Sequence, residues 1–60
     1  MNISLHKAVK AGDLERVKTM VKSGADLNQK NIYGRTPLAV AVQFSQAEIA
    51  EFLRRHGGKE

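Results

Sequence analysis

Apolar residues recur along the chain at the three- and four-residue intervals of an α-helix, in four short runs separated by polar breaks. Leu5, Ala8 and Val9 form the first run, and Leu14, Val17, Met20 and Val21 the second. Leu38, Ala41 and Val42 form the third, and Ile49 and Leu53 the fourth. Four amphipathic helices are predicted, each of about 8 to 10 residues. Helices that short lie below the ~12 to 15 residues at which an isolated helix becomes even marginal, so packing has to hold them.

The predicted helix ends carry their own chemistry. Ser4 and Asp13 are good N-caps, since a side-chain oxygen there accepts one of the orphan N–H bonds of the first turn. Thr36-Pro37 places a capping hydroxyl before a proline at the first helical position, where the missing N–H costs nothing. Ser45-Gln46-Ala47-Glu48 reads as a capping box for the last helix, with Ser45 as the cap. Gly24 and Gly57-Gly58 suit helix ends that need a positive φ. Between the halves, residues 26–35 are polar and turn-rich without helical period, and predict an extended loop or hairpin-like finger.

The two halves align with one another at an offset of 33 residues. Leu5 then pairs with Leu38, Ala8 with Ala41, Val9 with Val42, Glu15 with Glu48, Met20 with Leu53 and Gly24 with Gly57. A fixed period of this length marks a repeat architecture, in which each unit buries its apolar face against the next.

The residues at these positions resemble the ankyrin repeat. Gly34-Arg35-Thr36-Pro37-Leu38-Ala39-Val40-Ala41 follows the family's G-x-T-P-L-x-x-A pattern, Leu5-His6-Lys7-Ala8 matches L-H-x-A, and Gly24-Ala25-Asp26-Leu27-Asn28 matches G-A-D-x-N. The resemblance runs from about Ser4 to Gly58. It implies an all-α fold, an ankyrin-type solenoid of two helix pairs joined by an extended loop or β-turn finger. A single domain over residues 1–60 is expected, with repeat 1 at about 4–33 and repeat 2 at about 34–58.

Two departures from the pattern bear on how the array ends. Arg16 stands where the second repeat has Ile49, and Arg54 where the first has Val21. Terminal repeats need a polar outer face because no neighbour covers it, so the expectation is an N-terminal cap joined directly to a C-terminal cap. The ending Leu53-Arg54-Arg55-His56-Gly57-Gly58-Lys59 is similar to the close of an ankyrin array and gives the expectation of a complete chain. Since about three repeats are usually needed before neighbour contacts outweigh ordering entropy, self-association or partner binding is expected to supply stability.

Composition narrows the chemistry further. A 60-residue chain that is 42% hydrophobic holds one small domain. Cysteine is absent, which removes disulfides and thiolate metal sites and is compatible with a reducing cytosol without demanding one. No run approaches the ~18 apolar residues of a membrane span, and the N-terminus lacks the pattern of a signal peptide, so a soluble chain is expected.

Catalysis is not expected. His6 and His56 are the histidines, and no nucleophile and base accompany them. In the ankyrin pattern His6 occupies the histidine that hydrogen-bonds between neighbouring loops, and His56 sits where a cation favours the last helix carbonyls. Asp13 and Glu48 are accounted for by capping and Asp26 by the loop, while Glu15, Glu51 and Glu60 fall on solvent-facing positions. The five glycines sit at turns or helix ends rather than in a phosphate-cradling loop, and no cofactor or metal is implied.

What remains is the surface that ankyrin-like proteins use for partners, made of loop tips and the exposed side of each first helix. Carried over to this chain, it comprises Ile32, Tyr33 and Arg35 on the loop, Val40, Gln43 and Phe44 on the following helix, and Lys7 and Lys10 on the first. Tyr and Arg beside Phe have the composition of an interface hot spot. Ten Lys and Arg against six Asp and Glu give a net charge of +4, which points to an acidic partner. The leading reading is a non-catalytic protein-recognition module with Tyr33 and Phe44 as anchors. A self-assembling homo-oligomer is the alternative. Electrostatic binding to nucleic acid or anionic membrane is the third, and is disfavoured because the basic residues are scattered along the chain.

Overall fold

Each of the four apolar runs folds as a helix. The computed structural model describes residues 4–60, and the first three residues of the expected single domain lie outside that range. Helices α1 (Leu5–Ala11), α2 (Leu14–Lys22), α3 (Pro37–Gln43) and α4 (Ala47–Arg55) follow in order, and no strand occurs among the described residues. The first helix of each pair has 7 residues and the second has 9, so α1 and α3 are a little shorter than their periodicity suggests.

Three of the four N-termini are capped by the residues that sequence chemistry selects. The side chains of Ser4, Asp13 and Thr36 accept from the backbone N–H of Lys7, Arg16 and Ala39, at 3.2, 3.1 and 3.2 Å. Pro37 follows Thr36 at the first helical position. The fourth N-terminus differs from the expected capping box. Gln46, not Ser45, is the N-cap residue of α4, and it makes no side-chain capping bond.

The reason lies at the preceding helix end. All four helices close with the same pair of bonds, one from the N–H of a left-handed residue at the helix end and one from the residue after it. In α3 these are Ser45 N–H to the Val42 carbonyl at 3.1 Å and Gln46 N–H to the Ala41 carbonyl at 2.8 Å. In α1 the equivalents run from Gly12 to Val9 and from Asp13 to Ala8. The closing residue sits in the left-handed region, with φ of 74° at Gly12 and 57° at Ser45. Ser45 is therefore committed to ending α3 and cannot cap α4. A Cβ raises the energy of that backbone conformation, so Ser45→Gly is expected to stabilise the fold by about 0.5 to 1 kcal/mol. For a domain of this size that raises Tm by several degrees, to be read from thermal melts followed by circular dichroism.

Helix α1 packs on α2 and α3, and α4 packs on α3 and α2. One apolar cluster runs through both pairs. Leu5, Ala8, Val9 and Val17 come from the first pair, and Leu38, Val40, Ala41, Ile49, Ala50 and Leu53 from the second, with Met20, Val21, Leu27 and Phe52 packed at its edge. Among the described residues, every buried side-chain polar atom has a hydrogen-bond partner.

The second pair is fastened to the loop of the first by its own tail. Asp26 accepts from the Asn28 N–H at 2.9 Å and shapes the turn, and Asn28 Oδ1 accepts from the Lys59 N–H at 2.9 Å. The buried Thr36 hydroxyl donates to the Lys59 carbonyl.

The ends of the stack fit the capping expectation only in part. Arg16 and Arg54 are both exposed and make surface ion pairs, Arg16 with Asp13 at 3.7 Å and Arg54 with Glu60 at 4.0 Å. Val42, expected in the core beside Leu38 and Ala41, is 49% exposed, while its counterpart Val9 is 0% exposed. Helical period places Val42 on the apolar face, but only a neighbouring helix pair can cover that part of the face.

Candidate partner-binding surface

Residues 31–35 form the tip of the finger between α2 and α3, and Asn31 organises it. Its backbone carbonyl accepts from the Gly34 N–H at 2.9 Å, closing a four-residue turn. Its side-chain oxygen accepts from the N–H groups of Tyr33 at 2.9 Å and Arg35 at 3.0 Å. Its own N–H donates to the Arg35 carbonyl at 2.9 Å. Gly34 takes a φ of 76°, the left-handed conformation that an unbranched turn of this shape needs. The tip is thus a hydrogen-bonded turn that presents Ile32 and Tyr33 outward, 90% and 73% exposed.

His6 fixes the finger against the first helix pair. Its Nε2 lies 2.9 Å from the Arg35 carbonyl oxygen, so that nitrogen carries the proton and donates it. The family pattern implies a bond between neighbouring loops for this histidine; here His6 lies within α1 and the bond runs from that helix to the finger.

Between α1, α3 and the finger lies a hollow of about 300 Å³ lined by His6, Lys7, Lys10, Asn31, Tyr33, Arg35, Val40, Gln43 and Phe44. That volume is at the lower limit of small-molecule sites. Seven of the eight expected surface residues line it. Ile32 stands outside, beside a neighbouring recess that also includes Lys7 and Lys30.

Phe44 is exposed on one face, and the Lys10 ammonium sits 5.6 Å from its ring centroid, within cation–π range. Val40 departs from expectation. It is only 4% exposed, so it belongs to the apolar floor and not to the accessible rim. It points inward because the first pair packs over that side of α3. Asn31 is the lining residue that the sequence reading passed over. The spacing Asn31-Ile32-Tyr33-Gly34 carried a signal, since Asn at the first position and Gly at the fourth favour a tight turn.

The charge is distributed unevenly. Lys7, Lys10, Lys30 and Arg35 line the hollow and its neighbouring recess, and neither contains an Asp or Glu. Setting those four aside leaves six Lys and Arg, equal in number to the six Asp and Glu of the chain. These four cations equal in number the formal net charge of +4, and on their other side Lys7 and Lys10 share a recess with Asp13 and Arg16. The ion pairs among the described residues, Asp13 with Arg16 and Glu60 with Arg54, involve none of these four cations. The opposite groove, between α2 and α4, is mixed: Lys18 and Arg55 alternate with Glu48 and Glu51.

The family of ankyrin repeats (many copies) matches this sequence over residues 5–54. The chain belongs to the ankyrin repeat family. It is 46% identical over 50 residues to the human protein phosphatase 1 regulatory subunit 27, covering 83% of this chain and 32% of that protein. It is 44% identical over 55 residues to the mouse 2-5A-dependent ribonuclease, covering 90% of this chain and 8% of that one. It is 36% identical over 56 residues to alpha-latrotoxin-Lh1a of Latrodectus hasselti, covering 93% of this chain and 4% of the toxin. The chain thus spans about a third of the length of the first relative and under a tenth of the other two. Ankyrin repeats are generally protein-interaction modules. Among the described residues of this ankyrin chain, no helix is long and apolar enough to cross a membrane.

Proposed function

We propose that this ankyrin chain is a non-catalytic recognition module whose hollow between α1, α3 and the finger takes one apolar side chain from an acidic protein partner. The observation that carries the reading is the coincidence of two features on one face. The exposed aromatic pair Tyr33 and Phe44 lines the hollow over the Val40 floor, and Lys7, Lys10 and Arg35 line it with them, with no carboxylate among the lining residues.

Each feature has its own role. Aromatic anchors that fill a pocket dominate binding energy, whereas rim cations mainly raise association rates and select the sign of the partner's charge. The Asn31 turn and the His6 bond hold the finger in place before a partner arrives, which lowers the ordering cost of binding. A relative named as a regulatory subunit is in keeping with a binding role.

Peptide selection from a random library against the 60-residue chain tests this reading. Enriched peptides are expected to carry an apolar residue flanked by Asp or Glu. Tyr33→Ala combined with Phe44→Ala is expected to weaken the selected peptides at least thirtyfold, about 2 kcal/mol, with helicity unchanged. Binding by the triple variant Lys7→Gln, Lys10→Gln, Arg35→Gln, which lowers the formal net charge from +4 to about +1, should lose most of its dependence on salt between about 50 and 200 mM. Peptides without acidic bias, or equal affinity for the alanine variant, overturn the assignment.

A further inference from the structure

Ile32 is 90% exposed, more than any other large hydrophobic side chain among the described residues, and it stands outside the hollow. A single exposed apolar residue carries little meaning. Ile32 and Tyr33, however, fill both central positions of the turn from Asn31 to Gly34, where polar residues, proline and glycine are the common choice. The hydrogen bonds of the turn keep both from folding inward. Asn31 accepts from the N–H groups of Tyr33, Gly34 and Arg35 and donates to the Arg35 carbonyl. His6 ties the end of the turn to α1. Two adjacent apolar side chains are therefore held out in solvent at the tip of the finger.

Cations stand behind this tip. Tyr33 lines both the hollow and the neighbouring recess; Lys7 and Lys30 share the recess with it and with Ile32, and Arg35 shares the hollow. Lys7, Lys30 and Arg35 are all exposed, and neither lining includes an Asp or Glu. The scatter of basic residues along the chain argued against an electrostatic surface, and folding removes that objection. An apolar tip with a cationic collar is the complement of an anionic lipid surface, where lipid phosphates meet the Lys and Arg side chains and the acyl boundary receives the apolar ones. A tyrosine ring, apolar with one polar end, suits that same boundary. Nucleic acid would satisfy the cations but offers no apolar medium for Ile32.

We propose that the finger tip is a peripheral contact for an anionic lipid surface, with Ile32 and Tyr33 entering the boundary between headgroups and acyl chains and Lys7, Lys30 and Arg35 meeting the headgroup anions. Neither half suffices alone. A short apolar insertion is weak and reversible, and attachment needs a second signal, which the basic collar supplies. The contact is distinct from the hollow, whose occupant sits against Phe44 and Val40. It lays the chain on a membrane rather than through it.

Tyr33 is the only tyrosine of a chain without tryptophan, so its fluorescence reports the tip directly. The 60-residue chain is titrated with vesicles of brominated phosphatidylcholine, pure or with about 30% phosphatidylserine, at about 0.1 M salt. Bromine on the acyl chains is expected to quench Tyr33 in the phosphatidylserine vesicles and not in the pure ones. Ile32→Ser is expected to weaken partitioning about tenfold, and Lys7→Gln with Lys30→Gln by about tenfold or more, with helicity unchanged in each. Phe44→Ala is expected to leave partitioning as it is. Absence of binding to the anionic vesicles, binding without quenching, or full binding by Ile32→Ser overturns the proposal, the last two because the contact is then electrostatic alone. Loss of binding in Phe44→Ala overturns it by assigning lipid to the hollow. An oligonucleotide that strips the chain from the vesicles at equal phosphate concentration overturns it by assigning the cations to nucleic acid.

Discussion

Replacing Leu53 by Ala is expected to unfold most of the chain at 25 °C. Leu53 has no exposed surface and is the largest fully buried side chain. It packs in the cluster shared by both helix pairs, and its carbonyl receives the Gly58 N–H at 2.7 Å in closing α4. Truncating a buried leucine to alanine costs about 2 to 5 kcal/mol, the spread reflecting how far the cavity collapses. A core of this size supplies only about 3 to 5 kcal/mol in total. The two quantities match, so one side chain decides whether the fold persists.

Far-ultraviolet circular dichroism is a direct readout, because helices of 7 and 9 residues have no stability of their own once packing is lost. Leu53→Ala should lose both its helical signal and its cooperative melt. Leu53→Met conserves volume, should cost less than about 1.5 kcal/mol, and should stay folded. A folded alanine variant whose midpoint falls by only a few degrees would show that the core is not shared in this way.

The second largest effect is expected at Thr36. Its hydroxyl accepts from the Ala39 N–H at the start of α3 and donates to the Lys59 carbonyl, linking a helix cap to the chain's tail. Thr36→Val keeps the shape and removes both bonds, leaving the Ala39 N–H and the Lys59 carbonyl without their partner in a partly buried setting. Loss of a cap costs about 1 kcal/mol, and an unsatisfied buried group about 1 to 3 kcal/mol. A total near 2 kcal/mol takes a large part of the stability available to a chain this small. Urea titration should show the midpoint of Thr36→Val displaced strongly, with Thr36→Ser close to the parent. Equal midpoints for the valine and serine variants would mean that the methyl group, not the hydroxyl, is what Thr36 contributes.

Features set by neighbours in sequence were legible without coordinates. Ser4, Asp13 and Thr36 cap helices because their side-chain oxygens reach an N–H only three residues away, and Pro37 and Gly24 act through their own backbone preferences. The same holds for much of the candidate surface. Tyr33 stands outward because Asn31 and Gly34 fold a four-residue turn beneath it, and Lys7 and Lys10 share one side of α1 at helical spacing. The capping box at Ser45 misled for an instructive reason. The residue lies between two helices, and the closing bonds of α3 hold its backbone in the left-handed region, so Gln46 takes the N-cap position of α4 in its place.

The sequence by itself therefore determined the four helices, most of their ends, the internal repeat, and the membership of the aromatic and basic set around the finger. Tertiary structure decided which of two equivalent residues is covered. Val9 and Val42 have the same helical phase, yet one is buried and the other half exposed; Val40 and Lys7 share a position, yet one is floor and the other rim. It also gathered Lys7, Lys10, Lys30 and Arg35 around the hollow and its neighbouring recess, with no carboxylate in either lining. The physical reason is the range of each effect. Periodicity and capping act within about four residues, whereas burial depends on whether a second helix pair, a full repeat away, lies across the face.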